Sequence, residues 1–182
     1  MKRFILLGFL CIIICHACEE ENTEPKMKGD VTLSSEILGT SRYFVDGFSF
    51  EGEKYVSSTN SGSEVPDVIP QNIIKPDGEI VGMALSPGPG NSYGFYKNFE
   101  SDNFSEAKEF YSNYLEVDIG TFETLSDTLK AGQIYTFRTH KDNYVKFLIE
   151  EIRMYPGLYP EGYVEADIKY NIQRDGSEVF EQ

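Results

Sequence analysis

The sequence predicts a mainly β fold: one antiparallel β-sandwich-like domain carrying a single amphipathic helix, with a signal peptide and a flexible acidic tether ahead of it. Three stretches carry that expectation. In VEADIKYNIQ, residues 164–173, Val164, Ala166, Ile168, Tyr170 and Ile172 alternate with polar residues, and a period of two places all five on one face of a strand. In QIYTFRTHKDNYVKFLIEEI, residues 133–152, two runs rich in aromatic and β-branched residues flank His140-Lys141-Asp142-Asn143, a polar cluster suited to a hairpin turn. In NFSEAKEFYSNYL, residues 103–115, Phe104, Ala107, Phe110, Tyr111, Tyr114 and Leu115 recur at steps of three and four, the spacing of an amphipathic helix.

The first 17 residues read as an export signal. Lys2 and Arg3 precede an unbroken apolar run from Phe4 to Cys15, and a helix of that length reaches only about 18 Å against a hydrocarbon layer of roughly 30 Å. Cys11, Cys15, Cys18 and His16 would be enough donors for tetrahedral zinc, but two of the cysteines sit inside the apolar run, where a cation lacks a polar second shell. Ala17-Cys18 resembles a bacterial lipobox, although Cys15 and His16 replace its usual residues. The resemblance implies that Cys18 is acylated and becomes the new N-terminus, an anchor to the membrane firmer than a single myristoyl chain. Glu19-Glu20-Glu21 resembles the acidic export signal of surface lipoproteins, which implies an outer-membrane protein facing out of a Gram-negative cell. Residues 18–29 then form the tether, and 30–182 a single domain.

No cysteine follows Cys18, so the domain must be stabilised by packing alone. Loss of Lys2 and Arg3 with the signal takes the formal charge from −14 to −16. Such a surface repels phosphate backbones, and no basic stripe offsets it, which excludes nucleic acid as a partner.

Within the domain the elements are expected in order. RYFVDGFSFEGEKYVS, residues 42–57, predicts two short strands around Gly47 and Gly52. Asp77-Gly78 marks a turn into a strand at EIVGMAL, and SPGPGNSYGFY, residues 86–96, predicts a long loop. Asn103 and Glu106 stand at capping-box spacing at the head of the helix. MYPGLYPEG, residues 154–162, predicts a loop between the hairpin and the last strand, and Asp175-Gly176 a further turn before Val179-Phe180.

LKAGQIYTFRTHKDNYVKFLIEEI and YVEADIKYNIQRDGSEVF, residues 129–152 and 163–180, resemble the last strands of the HmuY-like lipoproteins, and GFSFEGEKYV, residues 47–56, is similar to that family's opening strand. The resemblance implies a lipid-tethered β-sandwich that binds rather than catalyses, with haem or another porphyrin as its ligand and paired side chains as axial ligands to iron. Of the ligating residue types, His140, Met83 and Met154 are the candidates in this chain, although a histidine in a polar turn is more often simply solvated and a methionine in an apolar run more often packing.

No nucleophile elbow, histidine cluster or phosphate-cradling glycine loop is present, and carboxylate pairs are too abundant to single out a glycosidase pair. Two other binding readings stand beside a porphyrin. One is an interaction or assembly protein that holds another envelope protein. The other is a glycan binder using Tyr93, Phe95 and Tyr96, with the absence of Trp counting against it. A filled interior favours the interaction reading, and an open pocket with two convergent ligating atoms favours haem.

Overall fold

The computed structural model describes residues 27–39, 44–59 and 64–180. The expected signal peptide, Cys18 and most of the expected tether lie outside the described residues. In chain order the elements are β1 (Lys28–Ser34), β2 (Asp46–Ser49), β3 (Lys54–Ser57), β4 (Val68–Ile74), β5 (Ile80–Pro87), β6 (Phe95–Glu100), α1 (Phe104–Asn113), β7 (Gln133–Arg138), β8 (Tyr144–Tyr155) and β9 (Tyr163–Gln173). The strands form a five-stranded sheet, β1-β9-β8-β7-β6, and a four-stranded sheet, β3-β2-β4-β5. Every pairing is antiparallel, as the mainly β sandwich expected from the sequence requires.

The alternation of VEADIKYNIQ sets the core. Val164, Ala166, Ile168, Tyr170 and Ile172 all point between the sheets and are buried there, while Glu165, Asp167 and Lys169 face outward. Beside them on the same sheet face stand Val145, Phe147 and Ile149 of β8 and Tyr135 and Phe137 of β7, and opposite them Phe48, Val68, Met83 and Leu85 of the smaller sheet complete the interior. Full burial of each large side chain supplies roughly 1.5–3 kcal/mol, so this interface is the principal source of stability. Phe50 sits at its centre, with ring centroids 5.1 Å from Tyr170, 5.3 Å from Phe48 and 6.2 Å from Phe147.

Helix α1 covers the outer face of the five-stranded sheet. Ala107 and Tyr111 pack on Ile134 and Leu148, with Phe99, Phe104 and Phe110 around them, which is the face that the three-and-four spacing predicts. Asn103 caps the helix through a hydrogen bond from the Ser105 amide, 3.1 Å. Glu106 accepts from the Asn103 side chain at 2.9 Å instead of reaching the Asn103 backbone amide, because Ser101 Oγ already accepts from that amide.

One long side of the sandwich is closed by backbone, and the other is bridged by a side chain beside a groove of about 320 Å³. Segment 123–129 bridges the edge of β5 to β6, since Ser126 N and Leu129 N donate to Leu85 O and Met83 O and Glu123 pairs with Phe95. On the other side the Tyr55 hydroxyl donates to Thr32 O at 2.7 Å. These contacts satisfy edge groups that would otherwise invite further strands.

Several expectations are corrected. Phe95 opens β6 and is 1% exposed, packed 5.0 Å from the Phe137 ring, so it belongs to the core and not to a binding loop. The loop expected over 86–96 is shorter, because Phe95 and Tyr96 pair with Phe137 and Thr136. Met154 and Tyr155 continue β8 through pairing with Val164 and Tyr163. Lys28 and Gly29, expected in the tether, instead belong to β1 and pair with Asn171 and Tyr170, and Met27 O accepts from Ile172 N. After the Asp175-Gly176 turn, Val179 makes only an isolated bridge to Glu116.

Candidate functional site

The two ends of the sandwich differ in chemistry. At one end, here the base, stand the start of β1 at Lys28, the turn from Thr139 to Asn143, and Asp67 ahead of β4. At the other, the tip, stand the β4–β5 hairpin and the β8–β9 connection. The ends are separated by the length of β8, whose 12 residues span about 36 Å at roughly 3.3 Å per step from one residue to the next.

Base chemistry centres on a carboxylate. Asp67 is fully buried and accepts from Ser49 Oγ at 3.2 Å and from the Glu51 amide at 3.3 Å, while its Oδ1 lies 3.0 Å from His140 Nδ1. Glu51 in turn accepts from Thr139 Oγ1 at 2.7 Å and Asn143 Nδ2 at 2.8 Å. Burial pushes the Asp67 carboxyl above its ordinary range, against the lowering effect of the Glu51 amide and His140. His140 is therefore not a free turn residue. Its ring is oriented by Asp67, but the nearest hydroxyl of the group, Ser49, is bonded to the carboxylate and not to the imidazole, so no nucleophile-to-base relay is assembled. The cluster locks the β7–β8 turn of one sheet onto the β2–β3 turn of the other.

The remaining sequence candidates scatter. Tyr93 lies beneath the Arg138 guanidinium, 4.2 Å from its ring centroid, and Arg138 also pairs with Asp142 at 3.2 Å. Tyr96 is on the outer face, beside a cavity of about 470 Å³ that it shares with Asn98, Phe110 and Tyr114. Tyr93 and Tyr96 thus do not share a binding loop with Phe95, which points the other way. Met154 is 49% exposed at the tip, a strand's length from His140, and the two do not converge on one ligand. Among the described residues, no group of three or more His, Cys, Asp or Glu side chains is placed to hold a metal ion.

Exposed apolar surface concentrates at the tip. Of the eight large apolar side chains exposed among the described residues, Ile74, Met154, Tyr155, Leu158 and Tyr159 lie there. The tip is built, not loose. Leu158 bridges to Glu79, Tyr159 N donates to Gly78 O at 3.0 Å, and the rings of Tyr155 and Tyr163 stack at 4.3 Å. Glu161 N and Gly162 N both donate to Leu158 O. Gly157 and Gly162 face each other so closely that a Cβ on Gly162 would fall 2.5 Å from Gly157 O, which is why MYPGLYPEG needs both glycines. Leu158, held at the apex of this turn, is 59% exposed.

Carboxylates surround these groups. Asp77, Glu79, Glu151 and Glu161 are exposed, and Glu79 is paired with Lys75. Arg153 bonds Glu165 at 3.2 Å and Glu151 at 3.0 Å and pairs with Asp167, holding the Asp167 carboxyl below its usual range. Sequence reasoning passed over Leu158 and Tyr159, although large apolar residues inside a Pro/Gly-rich loop have no strand face on which to hide. No helix among the described residues is long and apolar enough to cross a membrane. No protein-family model matches the chain, and no curated protein matches it in sequence.

Proposed function

We propose that the chain is a lipid-anchored lipoprotein of the outer-membrane surface that acts without catalysis, and that it presents the apolar tip to another envelope protein. The observation that carries this reading is the gathering of most exposed large apolar side chains at the end opposite the root of the tether. With Cys18 acylated and the chain entering the domain beside Lys28, the tip points away from the membrane. Its rim of carboxylates selects a partner surface with an apolar centre and a lysine- or arginine-rich border, since opposite charge at the rim speeds encounter and fixes orientation.

The test is site-specific photo-crosslinking in living cells, with the crosslinker at position 158 or, as a control on the side of the domain, at position 125. One dominant adduct from position 158 and none from 125 is expected, with the crosslinked partner peptide carrying basic residues beside apolar ones. An adduct of twice the chain's mass would replace the envelope partner with a second copy, and equal yields from both positions would end the reading.

Haem, the ligand implied by the HmuY-like resemblance, is the weaker occupant because the interior between the sheets is filled by aromatic rings with Met83 packed among them, and His140 and Met154 lie at opposite ends. Haemin added to the purified chain is expected to keep the Soret band of free haemin. A saturable shift lost in His140→Ala or Met154→Ala would restore the porphyrin reading.

A further inference from the structure

A second surface of different chemistry lies at the base, on the outer face of the larger sheet. Lys28 of β1, Asn171 of β9 and Lys146 of β8 stand side by side across three adjacent strands, and Lys169 is two residues along from Asn171. The C-terminal turn of α1 rises beside this row and leaves a cavity of about 420 Å³ lined by the three lysines, Tyr111, Ser112 and Asn171 among others. That volume lies within the roughly 300–1,000 Å³ usual for ligand sites.

The three cations differ in how they are held. Lys146 is 3% exposed and fixed in the floor, where its Nζ donates to Tyr111 O at 3.0 Å and Tyr114 O at 2.5 Å and sits 4.8 Å from the Tyr111 ring centroid. It caps the end of α1, where the helix dipole favours a cation. Lys28 and Lys169 stand exposed, and neither has an ion-pair partner among the described residues. Burial brings Lys146 down to about 8, and the charge of Lys28 pushes in the same direction. Lys28 and Lys169 line the cavity from two adjacent strands, so an anion placed in it meets cations from both.

We infer that this cavity binds a phosphate-bearing anion, contacted by Lys28 and Lys169 over the fixed charge of Lys146. The overall charge of −14 does not prevent this, because at physiological ionic strength charges beyond about 8 Å are largely screened. Asp30, directly across from Lys169, and Glu150 bring negative charge towards the Tyr111 side, and with Asp167 they line a separate groove further along the strands. Location supplies a source for the ligand. The chain from Cys18 to Met27 spans at most about 32 Å when fully extended, so an acylated chain keeps the cavity within reach of phospholipid headgroups. A free phosphate would satisfy the same lysines.

The experiment is calorimetric titration of the full chain, held in an uncharged maltoside detergent at physiological ionic strength, with inorganic phosphate and with dihexanoyl phosphatidic acid. Saturable binding of at least one is expected, weakened by about tenfold or more in the double variant Lys28→Gln/Lys169→Gln and kept in Lys28→Arg/Lys169→Arg. Both substitutions are at exposed positions, and an unchanged thermal melt confirms the fold. Binding of the lipid alone assigns a headgroup, and binding of both assigns the phosphate itself. No saturable heat with either, or equal heat in the Gln variant, overturns the inference.

Discussion

Phe50→Ala lowers the stability of the purified chain by about 3–5 kcal/mol, measured as a shift in the denaturant midpoint with unchanged slope. Phe50 is fully buried and meets four aromatic neighbours, Phe48, Phe137, Phe147 and Tyr170, drawn from both sheets. Truncation removes the transfer energy of a large ring and leaves a cavity that rigid aromatic walls cannot close. At about 2–4 °C per kcal/mol for a domain of this size, the melting temperature falls by about 6–20 °C. A loss below about 1 kcal/mol would mean that the two sheets do not meet around this ring.

Asp67→Ala has the second large effect, a loss of about 3 kcal/mol, together with faster hydrogen exchange at the amides of residues 139–143. The substitution strands the Glu51 amide, the Ser49 hydroxyl and His140 Nδ1, and relief of the buried carboxylate's desolvation offsets only part of that cost. Asp67→Asn keeps the shape and isolates the charge. Because burial raises the Asp67 carboxyl above its unfolded value, the native state holds a proton that the unfolded chain has already released. Stability therefore falls as pH rises from the ordinary carboxylate range to the raised value and is level above it. Chemical denaturation across that window should show this slope in the parent chain and a flatter one in Asp67→Asn. Identical slopes would remove Asp67 as the titrating group.

The parts of the fold that were legible before the structure share one property: their pattern is complete within a single segment. The β9 alternation, the hairpin around His140-Asn143, the short pair at residues 46–57 and the aromatic face of α1 each carry their own period, and all four occur as expected. Strands β1, β4 and β6 were not anticipated. VIPQNII breaks its run with Pro70, and FYKNFE carries a bulge between Lys97 and Phe99 that shifts the alternation. These strands exist because a neighbour supplies the other half of the ladder.

The candidate sites divide in the same way. Sequence marked His140 and Met154 as residue types able to ligate, but residue type says nothing of distance, and β8 carries the two to opposite ends. Asp67 and His140 are brought together across 73 residues, and Thr32 and Asp167, bonded at 2.6 Å, across 135. The lysine cavity likewise needs three strands in one register.

By itself, the sequence determined an acidic chain without cysteines beyond Cys18, a mainly β domain and one helix with a known inner face. All of these follow from composition or from periodicity over a dozen residues. Only the tertiary structure decided that apolar groups crowd the tip, that His140 is held by a buried carboxylate, and that lysines line a cavity at the base. Those features depend on which strands lie side by side, a choice made by burial energy summed over the whole interior and carried by no single stretch of chain.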